Sequence, residues 1–426
     1  MIHSYKYCIE KNKEIGRVEQ IKGPLLMVSG FKKAFIGEGV TFESGEHGEI
    51  LSIKKDSVEV LAFSRNPINP NAKAGRSGEA LAVSAGEGLL GHVVDALGYT
   101  LDDMREDSIV SKLMPIEVKA KGISERRKVD KFLETGVSIV DLVVPLGMGQ
   151  RELVIGDRKT GKTSFLLQAV LSQAKKGTVC IYTTVGKRKS EIREIYDFLK
   201  TNDVLKYSII VAASAEDSPG EVYIAPFTAM TLAEYFRDQG TDTLVIFDDL
   251  TTHAKYYREI SLVGGRFPGR ESYPGDIFYL HSKLLERAGN FKEASITCLP
   301  VAEAPAGDIT GYIQTNLMSM TDGHLYFDSD LFFAGRRPAV NVFLSVTRVG
   351  KQTQTPEMRD LGREILLLLK KNEEMSRFLK FGPEVTPQVA EVLKKGKALY
   401  EIFNQMPEEL RLVGVAAKEA ERITGK

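Results

Sequence analysis

Tryptophan is absent from the 426 residues, cysteine occurs three times, and 57 basic side chains are cancelled by 57 acidic ones. The missing tryptophan decides nothing. Cys8, Cys180 and Cys298 lie far apart without metal-ligand spacing, two of them in apolar strand-like runs. They read as small core residues in a reducing compartment. A net charge of zero argues against nucleic acid or an anionic membrane as the main partner. No run approaches the ~20 apolar residues that span a bilayer. The N-terminus, Met1-Ile-His-Ser-Tyr-Lys-Tyr-Cys, lacks the apolar core of a signal peptide, and no Arg/Ser-rich transit segment precedes the fold. The six histidines form no ligand cluster, and His253, His281 and His324 are expected to be structural. No Ser/His/Asp or Cys/His arrangement points to nucleophilic catalysis.

What is present is length enough for about two or three domains with real cores. Residues 1–14 carry no clear periodicity and read as a short arm. From 15 to 85 short alternating runs (Gly16–Ile21, Leu25–Val28, Gly39–Phe42, Gly48–Ile53, Val58–Phe63) are punctuated by glycines, the pattern of a small β-barrel. Asn66–Gly75 reads as a loop and Gly88–Gly98 as the start of a linker. Residues 86–351 alternate strand and helix patterns, which predicts a mostly parallel sheet covered on both faces. Strands are expected at Thr178–Thr184, Tyr207–Ala212, Thr243–Asp248 and Ser295–Val301, and helices at Ser190–Lys200, Ala225–Asp238 and Ile277–Ala288. From 352 to 426 only helical spacing remains, at Met358–Asn372 and Gln388–Phe403, so a helical bundle closes the chain. The expected fold is multidomain α/β: an N-terminal β-barrel, a central RecA-like phosphate-loop domain and a C-terminal helical bundle.

The chain is organised around Gln150-Arg-Glu-Leu-Val-Ile-Gly156-Asp157-Arg158-Lys159-Thr160-Gly161-Lys162-Thr163-Ser164. An apolar strand runs into a glycine-bounded loop and then a helix, the context in which the G-x-x-x-x-G-K-[ST] pattern carries meaning. Gly156 and Gly161 let successive N–H groups face inward as an anion nest at a helix N-terminus. Lys162 places a point charge on the β/γ-phosphates, and the Thr163 hydroxyl can ligate Mg²⁺. Val245–Asp249 is an apolar strand ending in paired acids. Asp248 is the candidate for the magnesium shell, with Asp249 its neighbour or a helix cap. Gly265–Asp276 sets two Pro-Gly turns around an Arg-Glu pair and reads as an ordered interface or switch loop. Arg348 ends the run Phe343–Gly350. A lone arginine there is either a structural salt bridge or a finger supplied in trans to a neighbouring subunit's phosphates, and spacing alone does not choose.

These residues together resemble the rotary ATPase alpha/beta family and, within it, the alpha subunits of F-type ATP synthases. The loop Gly156–Thr163 is alpha-like, where catalytic beta subunits carry Gly-Gly-Ala-Gly-Val-Gly-Lys-Thr. Pro268–Ala288, Ala306–Asn316 and Arg337–Gly350 extend the resemblance, which runs from about Ile15 to about Gln405. It implies binding of ATP or ADP with Mg²⁺, an alternating hexamer with beta-type catalytic chains around a gamma-type central stalk, and a place on the cytoplasmic side of a bacterial-type plasma membrane. It matches Arg348 to the arginine that reaches the adjacent catalytic site and Ser319 to a residue of the same interface. Within this chain's own nucleotide site it matches Arg158 to Ser164 to phosphate contacts and Asp248 to the magnesium shell. Arg337 and Pro338 match the adenine end, and Gln405 matches one of two glutamines near the base. Pro407 stands at the second glutamine position, so the adenine contacts are expected to differ. Only about fourteen residues precede the barrel and the bundle ends at Lys426, so attachment of a peripheral stalk is expected to differ as well.

Lys187 is the informative departure. Catalytic members of the family carry Glu there to polarise the attacking water, and alpha subunits usually carry Gln. An ammonium cannot accept that proton at neutral pH unless its pKa is greatly lowered, and Glu191 would need a different loop path to replace it. The chain is therefore expected to bind Mg-ATP, turn it over poorly, and contribute to catalysis only through Arg348. Three rivals are weighed. A homohexameric export-type ATPase needs its own catalytic Glu. An RNA translocase resembling Rho needs basic, aromatic-bearing barrel strands. A vestigial ring subunit would not need the intact Lys162 and Thr163.

Overall fold

Alternating burial builds the N-terminal third of the molecule. A computed structural model of the chain describes residues 3–64, 66–102, 112–379 and 386–425. Met1 and Ile2 of the expected arm, and Lys426, lie outside the described residues. Strands β1 (Gly16–Lys22), β2 (Leu25–Ser29), β3 (Glu38–Phe42), β4 (His47–Ile53), β5 (Ser57–Phe63) and β6 (Lys73–Ala80) form a closed barrel in the order β1-β2-β5-β4-β3-β6. Val18, Val28, Val40, Phe42, Ile50 and Val60 are fully buried and fill it. Five strands follow the sequence pattern. The sixth overlaps the stretch expected as a loop, because Gly75 and Gly78 interrupt its apolar alternation. A Cβ on Gly75 would lie 2.8 Å from the Cys8 Cβ, so glycine there lets a helix lie on the strand.

That helix, α1 (Tyr5–Asn12), occupies most of the expected arm. Ser4 caps it by accepting the Tyr7 N–H at 3.3 Å, and Lys13 ends it in the left-handed conformation. Eight residues give too short a window for periodicity to register.

Two compact units divide the chain. The first comprises residues 1–124 and 179–287, the second residues 125–178 and 288–426. Beyond the barrel, the first unit pairs Val93–Val94, Ser208–Ser214, Val179–Lys187 and Thr243–Asp248 in parallel and in that order. Val93–Val94 falls in the stretch expected as a linker. The strands are nearly all buried, as parallel strands covered on both faces must be. Helix Pro219–Asp238 begins six residues before the pattern predicted. Ser218 and Glu221 form a reciprocal capping box and Pro219 takes the first position, where its missing N–H costs nothing.

The second unit orders Val346–Thr347, Gly323–Phe327, Glu152–Gly156 and Ser295–Glu303 side by side, the first pair antiparallel and the others parallel. Its C-terminal part is helical: Pro356–Leu379, Pro387–Phe403 and Val413–Thr424. The last of these was not expected, since its buried residues are the alanines 416, 417 and 420. The expected barrel, α/β domain and helical bundle are thus all present.

Among the described residues Arg287 is the bulkiest fully buried side chain. Its Nη2 donates to Glu234 at 2.6 Å and to the Thr231 hydroxyl at 2.8 Å, and Nη1 donates to the Ile116 carbonyl at 2.9 Å. Removing Arg287 leaves the buried Glu234 with the more distant Arg237, at 3.5 Å, as its counter-charge. We expect Arg287→Met to destabilise the chain by about 3–5 kcal/mol in denaturant titration, and Arg287→Met with Glu234→Leu to recover only part of that, because the buried Arg237 then loses Glu234 as well.

Burial pushes the Glu49 carboxyl up to about 8, with Glu117 adding to the effect and Lys283 opposing it. A carboxyl raised in the folded state stabilises it below the unfolded pKa and loses that contribution as pH rises through the folded value. Between about pH 5 and about pH 8 the melting temperature of wild type should therefore fall relative to Glu49→Gln, by ~2–4 °C for each kcal/mol. Parallel melting curves across that range would contradict it.

Candidate functional site

The phosphate loop is held by the ladder beneath it. The Glu152–Gly156 strand pairs along its whole length with Gly323–Phe327 and over Val154–Gly156 with Val301–Glu303. A Cβ on Gly156 would lie 2.4 Å from the Phe327 carbonyl oxygen, so only glycine permits the pairing to run into the loop. Gly161 has φ +91° and precedes helix Lys162–Ala174 without a side-chain cap, which leaves the helix's first N–H groups directed at the loop. Asp157 braces the turn: its carboxylate accepts the Arg158 N–H at 2.7 Å and the Ala306 N–H at 3.0 Å, and its carbonyl accepts the Thr160 hydroxyl at 2.8 Å. The Lys162 ammonium lies over the loop and donates to the carbonyls of Gly156 and Asp157 at 2.9 and 2.6 Å. Lys159 adopts φ +59°, and Thr163 and Ser164 form the half-buried first turn. Arg158 is exposed and forks onto Glu303 at 2.9 and 3.0 Å. The arrangement is a cradle of N–H donors with one flexible cation, suited to a polyphosphate.

In the same unit Arg337 stacks on the Phe332 ring at 3.6 Å and donates to the Phe332 carbonyl at 2.7 Å. Arg337 and Pro338 line a cleft of about 250 Å³ together with Ile139, Tyr400 and Asn404. Gln405 is buried, and its amide is fully engaged. It accepts the Ser138 N–H at 2.7 Å and donates to the carbonyls of Gly136 and Glu409 at 3.0 and 3.1 Å. The residue expected near a base therefore pins the helical segment to the 136–138 turn.

Arg348 is exposed, and its backbone N–H donates to the Asp322 carbonyl at 3.0 Å. The register places Thr347 opposite Gly323, and Gly323 opposite Glu152. Arg348 thus sits at the opposite end of the Glu152–Gly156 strand from the phosphate loop, roughly 13 Å along at ordinary strand rise. The acid beside it is taken, since Asp322 is forked by Arg151 at 2.8 and 3.1 Å. Among the described residues Arg348 makes no ion pair. Gly350, two residues on, sits where a Cβ would be 1.7 Å from the Pro145 carbonyl oxygen, which fixes the path of the arginine's segment. Ser319 is exposed on helix Tyr312–Met320 and donates to the Asn316 carbonyl at 2.7 Å.

In the first unit Asp248 ends its strand and is nearly fully buried. Its Oδ1 is 3.0 Å from the Lys187 ammonium, and its Oδ2 accepts the Tyr182 hydroxyl at 2.8 Å. A register shift between Val185 and Lys187, with Gly186 at φ +64°, turns Lys187 towards it. Burial alone would lower the Lys187 pKa, but Asp248, Asp249 and Glu191 together outweigh it and raise the value. The side chain is a cation at neutral pH. Asp249 is the helix cap, accepting the Thr252 N–H at 2.7 Å and the Thr252 hydroxyl at 3.0 Å. Glu191 is exposed and caps its own helix at the Arg188 N–H, 3.1 Å away. His253 and His281 form a buried pair at 3.1 Å with both pKa values pushed down by burial, His253 to about 4. Tyr182 escaped the sequence reading, because one tyrosine in an apolar strand carries no signal without its partner.

Residues 136–347 match the ATP synthase alpha/beta family, nucleotide-binding domain. The chain is 39% identical over 408 residues to ATP synthase subunit alpha of Ehrlichia ruminantium (strain Gardel), covering 93% of this chain and 80% of that protein. It is 40% identical over 411 residues to ATP synthase subunit alpha of Rickettsia bellii (strain OSU 85-389), with the same coverage. With a closed barrel, a braced phosphate loop and that likeness over nearly its whole length, the chain belongs to the ATP synthase alpha/beta family, on its alpha-subunit branch.

Proposed function

We propose that this chain is the nucleotide-holding, non-catalytic alpha-type member of a rotary ATP synthase ring, and that it lends Arg348 to the catalytic site of an adjacent beta-type chain. The observation that carries the reading is the Lys187 ammonium, 3.0 Å from Asp248, at the position where the resemblance calls for a general base. A cation there repels a proton instead of accepting one. Arg348 supports the second half, because it lies at the far end of the strand that ends in the chain's own phosphate loop. An arginine so placed serves another subunit's phosphates better than its own.

The phosphates of ATP or ADP are proposed to rest on the loop from Gly156 to Ser164, with Lys162 as counter-charge. Arg337 and Pro338 bound the adenine side at the 250 Å³ cleft. Thr163 supplies the hydroxyl suited to a Mg²⁺ shell. Ser319 is placed at the interface that receives the arginine. Beta-type chains and a gamma-type stalk are the proposed partners. The proposed location is peripheral, on the cytoplasmic side of a bacterial-type membrane. Among the described residues no helix is long and apolar enough to cross a membrane.

Steady-state ATP turnover by the purified chain, with binding followed in the same sample, tests the reading. Binding with almost no turnover is expected, and robust turnover by the isolated chain would overturn it. Lys162→Ala should abolish nucleotide binding in equilibrium titration, whereas unchanged affinity would remove the loop from the site. In a ring reconstituted with beta-type chains, Arg348→Ala should leave nucleotide on this chain but cut turnover by ~10³ or more. Near-normal turnover would end the finger assignment.

A further inference from the structure

Gln150 lies just before the Glu152–Gly156 strand and is wholly buried. Its side-chain amide has no spare group. The oxygen accepts the Gly147 N–H at 2.8 Å, and the nitrogen donates to Glu152 at 2.6 Å and to the Thr347 hydroxyl at 3.2 Å. Thr347 is saturated in turn: its hydroxyl also accepts the Gly350 N–H at 3.1 Å and donates to the Pro145 carbonyl at 2.9 Å. Glu152 is as deeply buried as Gln150 and is seated against Gly323, where a Cβ would lie 2.6 Å from its Oε2. Gly323 is also the residue opposite Thr347 in the ladder. Every group in this network belongs to the second unit.

Such a network is a costly way to fill space. One Glu152 oxygen has no hydrogen-bond partner, and apolar side chains of the same shape would fill the volume without that cost. What the polar groups add is direction. Val346–Thr347 pairs with the neighbouring strand at only two positions, and Arg348, which follows it, is exposed. So short a pairing leaves the segment free to tilt. The bonds that Thr347 makes with Gln150, Pro145 and Gly350 remove that freedom on both sides of the arginine. Precision matters there, because a catalytic group misplaced by about 1 Å can lose ~10² in rate. We propose that Gln150, seated on Glu152, is a positioning residue for Arg348, fixing Thr347 so that the guanidinium is presented to the adjacent chain in one geometry. The proposal rests on the finger reading above and names what aims the finger.

ATP turnover by rings reconstituted with beta-type chains tests it. Gln150→Met keeps the volume but loses both donors, and should slow turnover at least ~10-fold while nucleotide stays bound to this chain. A smaller loss would overturn the proposal and leave the finger standing. Loss of nucleotide from this chain in Gln150→Met would place the effect at the phosphate loop and overturn it as well. In the Arg348→Ala background the same substitution should add less than ~10-fold, because no guanidinium remains to be aimed. A further loss of ~10-fold or more there would mark general damage and sink the positioning role. If Arg348→Ala alone turns over near the wild-type rate, the finger reading falls and this inference falls with it. Should Gln150→Met misfold by circular dichroism, Thr347→Val is compared with Thr347→Ser, which keeps the hydroxyl. Turnover slower by ~10-fold or more in the valine variant supports the proposal, and a smaller difference overturns it.

Discussion

Pairing on both edges of the Glu152–Gly156 strand is the constraint that the second unit depends on. At its C-terminal end the ladder delivers the phosphate loop, with Gly156 pressed against the Phe327 carbonyl. At its N-terminal end Glu152 is wholly buried, accepts the Gln150 amide at 2.6 Å, and has one oxygen without a hydrogen-bond partner. Burial holds this carboxyl well above the usual range, opposed by the Gln150 hydrogen bond, with Asp322 adding to the effect and Arg348 opposing it. Burial thus favours the neutral form of this carboxyl over the ion, which suits a strand buried at that end. The same Gln150 reaches the Thr347 hydroxyl at 3.2 Å, so the arginine-bearing segment is tied to the loop-bearing strand through one buried side chain.

How the charges are shared out separates the two basic residues that matter. Among the described residues Arg348 makes no ion pair, and Asp322, whose carbonyl accepts its backbone N–H, has its carboxylate already forked by Arg151. Its segment is fixed through backbone contacts at Asp322 and by the close fit of Gly350, so the guanidinium can be held outward without being neutralised. Lys187 is the reverse case, with its ammonium committed to Asp248 inside its own unit. A charge left free suits recognition by another chain, whereas a charge paired at low exposure suits local organisation.

Much of this was legible in the sequence, for physical reasons that differ by element. Buried parallel strands such as Thr243–Asp248 announce themselves as continuous apolar runs, and the phosphate loop as glycines between a strand and a helix. Elements whose formation depends on contact were not legible. Helix α1 is set by Ser4 and by the space over Gly75, and β6 hides behind glycines that the same contact requires. The start of helix Pro219–Asp238 was masked because Pro226 interrupts its interior. Gln405 could be placed at a glutamine position of the family, yet its amide is consumed by the backbone at 136, 138 and 409. Spacing gives a residue's place along the chain, but not which backbone groups compete for its side chain.

On the proposed reading, position 187 is where one side chain separates binding from turnover. A glutamate there would set two carboxylates against each other at the end of a strand, and their repulsion would favour a divalent ion and a protonatable base together. A glutamine would leave Asp248 unpaired but remove the base. The lysine does more than remove the base, because it also neutralises Asp248 from within the fold. The acid then needs no outside cation to be buried, and the strand end is complete before any ligand arrives. Losing the base and gaining the internal counter-charge are therefore a single change in chemistry. On the proposed reading, a chain built this way holds a ligand and leaves the chemistry of its ring to its neighbours.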